Sequence, residues 1–418
     1  MQKLAILVTR LSSWVLSKMG RGGSMPGRLG IKIAPDCLNH LKFGGPVILV
    51  TGTNGKTSTA NMVSDLMEEA GYKVVTNRKG DNLRVGITST LLSHCSLSGR
   101  VKADAAVLEV DELNMKYIVP ALPVTAIVVN NFFRDQLDRA GEMERIIDTI
   151  ESVLPDYQGD LILNGNDPNV VRLAMAAPNA RKIYFGAAKN ASTVEHSAEA
   201  AEGKFCPKCG SRLEYDFYQY SHIGQFHCSS CDFATPKLDV CPDEIDLDAH
   251  TFRYDGHVYP MASDGLYSLY NCAAVLAAAR SAGVDPKLAE KVFARAERPA
   301  GRNERFEKAG RDCILNLVKN PTGANEVMKV IEKDPAKKTI SAGSTTRSLK
   351  NSWMTPRRRS SARERAPGIW RFGSITAVLP ERFAPKNRWK QLCMRLCRLR
   401  MYTLLPRTRR CCRREIRS

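Results

Sequence analysis

A chain of 418 residues is long for one compact core, and two or three domains are expected. With 43% apolar and 25% charged residues the composition is that of a soluble enzyme. The net charge of +19 is segregated: residues 339–418 hold 21 Lys+Arg against 3 Asp+Glu, leaving +1 for the remainder, which excludes an enzyme that is basic throughout.

Residues Leu4 to Leu16 are apolar but interrupted by Arg10 and preceded by Lys3, with neither a small-residue cleavage site nor about 18 clean apolar positions. They predict an amphipathic helix, neither exported nor spanning, that packs on the next domain in preference to a membrane surface. After the loop Gly20-Arg21-Gly22-Gly23, the run Pro46 to Thr51 predicts a buried parallel strand and Thr57 to Ala70 a helix. Strands follow at Lys73–Thr76, Ala105–Val110, Thr125–Asn130 and Asp160–Asn164, with helical patterns between them. This is the rhythm of a doubly wound α/β domain with a parallel sheet. Residues 203–242, rich in Cys, Tyr, Phe, Gly and Ser, form an insert. A helix is expected over Tyr267–Ala282 and a hinge at Pro299-Ala300-Gly301-Arg302. A strand over Asp312–Val318 and a helix over Gly323–Glu332 would then begin a further domain. Beyond Lys338, Arg outnumbers Lys 18 to 3, Asp is absent and apolar periodicity ceases.

The junction of strand, Gly52-x-x-Gly55-Lys56-Thr57 and helix has the build of a triphosphate site. Glycines let main-chain N–H groups close on oxygens, the helix N-terminus adds its positive end, and Lys56 adds a point charge. Thr57 is placed to ligate Mg²⁺. The spacing is shorter than the general G-x-x-x-x-G-K-[ST] loop, since Val stands at position 50.

Cys206-x-x-Cys209 and Cys228-x-x-Cys231, 18 residues apart, predict two knuckles completing a tetrahedral S₄ site for structural Zn²⁺. Such a site leaves no open position for catalysis, and its work is to fold a ribbon too small for its own core. His222 and His227 are expected as surface residues. Of the thirteen cysteines, four lie in the basic tail and five are scattered, a pattern suited to a reducing cytosol rather than to disulfides.

The string from Val50 to Thr59, Val-Thr-Gly-Thr-Asn-Gly-Lys-Thr-Ser-Thr, resembles the ATP loop of the Mur ligase and folylpolyglutamate synthase superfamily. The resemblance implies that Gly52, Thr53, Asn54, Gly55, Lys56, Thr57 and Ser58 bind ATP. It makes Glu109, in Val107-Leu108-Glu109-Val110-Asp111-Glu112, a Mg²⁺ ligand beside Thr57, and Lys56 and Glu109 the catalytic pair. Asn130 to Asp138 is similar to a family segment, with Gln136 where most members carry a metal-binding histidine. No lysine lies between Asp135 and Tyr157 to be carbamylated, which speaks against a second metal. Leu163 to Pro168 resembles a family turn, Asn271 would lie near the adenine, Arg302 would reach the nucleotide from the hinge, and Asn320-Pro321 matches a turn of the C-terminal domain.

A Mur-type domain interrupted by a Cys₄ ribbon, with glutamine at 136, resembles the amidating branch. That likeness implies ATP-dependent conversion of the D-glutamate α-carboxylate of the lipid II stem peptide to D-isoglutamine through an acyl phosphate, in peptidoglycan synthesis. No non-zinc cysteine sits in a glutaminase elbow, so ammonia is expected from a separate GatD-type glutaminase subunit in a heterodimer. The setting would be cytoplasmic, peripheral at the inner membrane face. The expected division is an N-terminal helix and linker (1–40), the ATP-binding central domain (41–298, with the ribbon at 203–242), the start of a C-terminal ligase domain (299–338) and an aberrant tail (339–418) with the texture of a frameshifted reading. Such a copy would keep its nucleotide and zinc sites and lose amidation. Two rivals remain: an amino-acid-adding Mur or folylpolyglutamate-type ligase, and a nucleic-acid-binding NTPase. The acids among aromatics between the knuckles argue against a nucleic-acid partner.

Overall fold

A computed structural model describes residues 1–19, 23–78, 81–133, 142–197, 202–263 and 265–296, with the backbone of 304–307 and 312–315. Two helices lead in, α1 (Gln2–Lys18) and α2 (Met25–Ile33), followed by β1 (Val47–Thr51), α3 (Lys56–Glu69), β2 (Val74–Thr76), α4 (Arg84–Ser93) and β3 (Ala105–Glu109). The chain continues through a short α5 (Met115–Ile118), β4 (Ala126–Val129), α6 (Glu142–Glu151), β5 (Asp160–Asn164), a one-turn α7 (Pro168–Val171) and β6 (Arg181–Phe185). All six strands are parallel, in the order β2-β3-β1-β4-β5-β6. The order reverses about β1, and the carboxyl ends of strands at such a reversal are where open α/β sheets bind ligands.

Side chains alternate across each strand, so the sheet feeds two cores. Ile48 and Val50 of β1 join Met62, Val63 and Leu66 of α3 on one face, while Val47 and Leu49 join Ile87, Leu91 and Leu92 of α4 on the other.

The polar texture after β6 becomes an antiparallel hairpin, β7 (Leu213–Tyr220) and β8 (Ile223–Cys228). The chain then returns to the sheet, where Val240 bridges Phe185 in parallel. A three-stranded antiparallel sheet follows, of β9 (Asp243–Asp246), β10 (Thr251–Tyr254) and β11 (His257–Pro260).

Next comes α8 (Leu266–Ala282), which is buried all round from Ser268 through Ala279. Its many alanines let it lie close on β4, β5 and β6 and against α3. The left-handed Gly283 (φ +67°) ends it. Helix α9 (Ala289–Arg295) packs beside α3, and β12 (Glu304–Glu307) pairs antiparallel with β13 (Asp312–Leu315). The expected positions Gln136, Arg302 and Asn320-Pro321, the helix over 323–332 and the tail from 339 lie outside the described residues.

Candidate functional site: the phosphate loop and the cysteine cluster

The loop between β1 and α3 is fixed by neighbouring strand ends. Gly55 adopts φ +83° at the N-cap of α3, and a Cβ there would come within 2.2 Å of Asn271 Oδ1. Thr53 N–H donates to Asn131 O (2.8 Å) and Asn54 N–H to Asn131 Oδ1 (2.9 Å), while Asn131 Nδ2 returns a bond to Asn54 O (3.2 Å). The Thr53 hydroxyl donates to Phe133 O (3.2 Å) and accepts from Phe133 N–H (3.0 Å). Two loop N–H groups are thus spent inside the protein. Those of the first turn of α3, Lys56, Thr57 and Ser58, come ahead of its opening bond from Thr59 N–H to Gly55 O and have no intrahelical acceptor.

Lys56 is nearly buried and held by Gly52 O (2.5 Å) and Glu112 Oε1 (2.8 Å). Burial pushes the Glu112 carboxyl above its ordinary range and the Lys56 charge opposes this. Glu109 ends β3 beside Val50 of β1 and is buried. Asn77 clasps its main chain on both sides (2.9 and 2.8 Å), and Asn82 Nδ2 donates to its Oε1 (2.9 Å). Asp111 instead caps the turn that follows, accepting from Leu113 N–H (3.1 Å).

Asn271 accepts from the Thr59 hydroxyl (3.3 Å) and abuts Gly55, which sets it against the phosphate loop. Asn130 Nδ2 donates to the same Thr59 hydroxyl (3.0 Å), while its buried Oδ1 has no hydrogen-bond partner. An unpaired acceptor beside a phosphate loop suits a ligand that brings a donor, as an amine or hydroxyl does.

The turn from Asn164 to Asp167 is a hub. Asn164 Nδ2 donates to Asn130 O (2.9 Å), and Asn166 bonds Gly224 at the start of β8 on both main-chain sides while accepting from the Tyr270 hydroxyl (2.8 Å). Asp167 Oδ2 accepts from Phe132 N–H (2.9 Å), and its Oδ1 lies 3.3 Å from His222 Nε2.

The surface expectation for His222 is overturned. It is fully buried at the hairpin tip, its ring 4.7 Å from that of Phe133, with Glu202 3.4 Å from Nδ1. The hairpin lays its turn on the main sheet, so its tip faces inward. Burial pulls the His222 pKa down, but Asp167, with Glu202 behind it, reverses this and raises it to about 9. His227 is half-exposed beside Glu214 and Asp216.

The sulfurs of Cys206, Cys209, Cys228 and Cys231 all lie within 4.8 Å of one another. The Cys206–Cys231 and Cys209–Cys228 separations of 3.5 Å are too long for disulfides and close to the ~3.8 Å edge of a tetrahedral S₄ metal site. Lys208 and Ser230 N–H groups point at Cys206 and Cys228 Sγ (3.4 Å each). This donor set could hold a metal ion. Beside it Leu213, Phe226 and Phe233 of the ribbon pack with Cys206, Cys228 and with Val171 of α7 in a small cluster shared with the central domain.

The sequence profile of the Mur ligase middle domain matches residues 50–279. At 32% identity the chain aligns with the lipid II isoglutaminyl synthase (glutamine-hydrolyzing) subunit MurT of Streptococcus pneumoniae, over 79% of this chain and 74% of that one. The chain belongs to the Mur ligase family. MurT of Staphylococcus aureus matches this Mur ligase at 30% identity, over 79% of the chain and 75% of the relative. Among solved structures, a pseudomurein peptide ligase type C from Methanothermus fervidus superposes with a TM-score of 0.56 at 23% identity, covering 70% of this chain. MurF from Acinetobacter baumannii gives 0.53 at 17% identity, covering 73%. This Mur ligase spans 58% of the length of each of those two solved chains, and they speak for the fold alone. Mur ligases form amide bonds at the expense of ATP, so the chain is a carbon–nitrogen ligase by family.

Proposed function

We propose that the chain is the ligase subunit of a glutamine-dependent amidating enzyme of peptidoglycan synthesis. ATP phosphorylates the D-glutamate α-carboxylate of the lipid II stem peptide, and ammonia from a GatD-type glutaminase subunit displaces phosphate to give D-isoglutamine. The observation that carries this is the match to two MurT subunits over about three quarters of their length. The loop supports it with the N–H donors at the start of α3 and with Lys56.

Lys56 is held by a carboxylate and a carbonyl, both of which a triphosphate can replace as partner. Once turned to the phosphates, it would offset charge on the phosphoryl group in transfer. Glu109 and Thr57 would hold Mg²⁺, which when bound neutralises charge shared by the phosphate oxygens. The paired amides Asn77 and Asn82 keep Glu109 oriented for that task. Cys206, Cys209, Cys228 and Cys231 would hold structural Zn²⁺, Asn271 would stand near the nucleotide, and Arg302 would reach it from the hinge. The enzyme would work in the cytoplasm, peripheral at the inner membrane face where lipid II lies.

The domain division proposed with it is 1–40, 41–298 with the ribbon at 203–242, 299–338 and 339–418. The last segment lacks the alternation of strand and helix patterns that a ligase C-terminal domain needs, so this copy would bind ATP and metal without completing amidation. The test co-expresses the chain with a GatD-type glutaminase. It runs beside a chimera carrying the streptococcal MurT sequence after residue 338, and ATP binding, complex formation and lipid II amidation are measured. Expected are ATP binding by both and amidation by the chimera alone. A chimera that couples an amino acid in place of ammonia, or an ATPase stimulated by nucleic acid, overturns the reading.

A further inference from the structure

Helix α1 is apolar on two sides. Ala5, Ile6 and Thr9 are buried in its packing with α2 and α4. On the opposite side Leu4 (49%), Leu7 (50%), Leu11 (63%), Trp14 (60%) and Val15 (42%) are exposed. The spacing 4, 7, 11, 14 and 15 places them in one stripe along the helix. A single exposed leucine is ordinary, but a contiguous stripe of five large apolar side chains marks a contact surface.

Charge says which contact. Residues 1–35 contain Lys3, Arg10, Lys18, Arg21, Arg28 and Lys32 and no Asp or Glu. Lys3 and Lys18 are exposed at the two ends of α1, and Arg28 and Lys32 are exposed on the adjacent α2. We infer that the outer face of α1 is a docking surface for a bilayer containing anionic lipids. An exposed ridge of leucines with a tryptophan, on a helix that carries Lys3, Arg10 and Lys18 and no acidic residue, is the pattern of a helix lying in the headgroup plane. Helix α1 has 17 residues, and among the described residues no helix is long and apolar enough to cross a membrane, so the mode is surface attachment. Its purpose rests on the lipid-linked substrate proposed above, but its test does not, because vesicle binding needs no turnover.

The full chain is sedimented with vesicles of phosphatidylcholine alone and with vesicles that also contain phosphatidylglycerol. Two variants are compared, a stripe variant (Leu7→Gln, Leu11→Gln, Trp14→Gln) and a charge variant (Lys3→Gln, Lys18→Gln). The Arg-rich segment after residue 338 is present in every sample, so differences read α1 alone. Circular dichroism and ATP binding, both expected unchanged, verify folding. The full chain is expected to bind the phosphatidylglycerol vesicles more tightly, and less so as salt rises. The stripe variant should lose at least about tenfold in affinity, and each lysine removed about fivefold. Equal binding by the full chain and the stripe variant overturns the inference. So does a chain that sediments as a dimer without vesicles and is made monomeric by the stripe substitutions while vesicle binding persists, since the face would then join two copies.

Discussion

At Gly55 the phosphate loop has no room for a side chain and a backbone angle that an L-residue resists. Gly55→Ala is expected to displace Asn271 or unwind the start of α3, costing about 1–2 kcal/mol of stability. ATP affinity should fall at least about tenfold, which calorimetric titration would register. His222 carries a different liability. Its pKa is raised from the ordinary 6.5 to about 9, so the native state binds that proton more tightly than the unfolded chain. Its stabilisation is fully present below pH 6.5 and is lost as pH rises through about 9. In urea unfolding the native chain should lose stability across that window, whereas His222→Gln should be weaker at neutral pH and flatter across it. Residue positions differ in how far sequence exposes them. The loop is contiguous and announces itself from Gly52 to Thr57. The Lys56–Glu112 pair and the His222–Asp167 pair join residues 56 and 55 apart, and only folding brings them together. The carboxylates at 109, 111 and 112 look alike in the sequence, yet one ends a strand, one caps a turn and one pairs with the loop lysine.

Elements are easier to read than residues, and unevenly so. Continuous apolar runs locate β1, β3, β4 and β5 within a residue or two, because strands buried on both faces must be apolar throughout. The sheet of β9, β10 and β11 escapes a reading by pattern, although Asp255-Gly256 between β10 and β11 is a hairpin signal, both residues having positive φ (51° and 72°). Its strands, four residues each, carry too little pattern to stand out. The cysteine ribbon is legible from spacing alone, but its attachment to the sheet is not, since Gly224 and His222 meet the Asn166–Asp167 turn with no signal of their own in the sequence. Cys228→Ser should therefore release bound metal, measured by a chromogenic chelator. It should also lower Tm by several degrees through loosening of the hairpin while the phosphate loop still binds ATP. Unchanged metal content would remove these four sulfurs as ligands.

For the whole molecule, charge separates a near-neutral body from a basic terminal segment. A chain ending at Lys338 is expected to bind ATP with the same Kd and to elute from heparin at much lower salt, because the +18 of residues 339–418 governs polyanion binding. A weaker ATP Kd in the shortened chain would give that segment a part in the nucleotide site. Helix α8 adds a constraint on how the molecule is made. It covers β4, β5 and β6 on one face of the sheet and places Asn271 against Gly55, yet it is translated more than 200 residues after the loop it abuts. Until α8 leaves the ribosome, a nascent chain leaves the apolar face of β4, β5 and β6 uncovered, a state prone to aggregation. An error in decoding before residue 283 would strand the protein in that state, whereas one beginning near residue 339 arrives after the sheet is covered. A gene altered at that later point still encodes the loop, α3 and α8 that pack against one another.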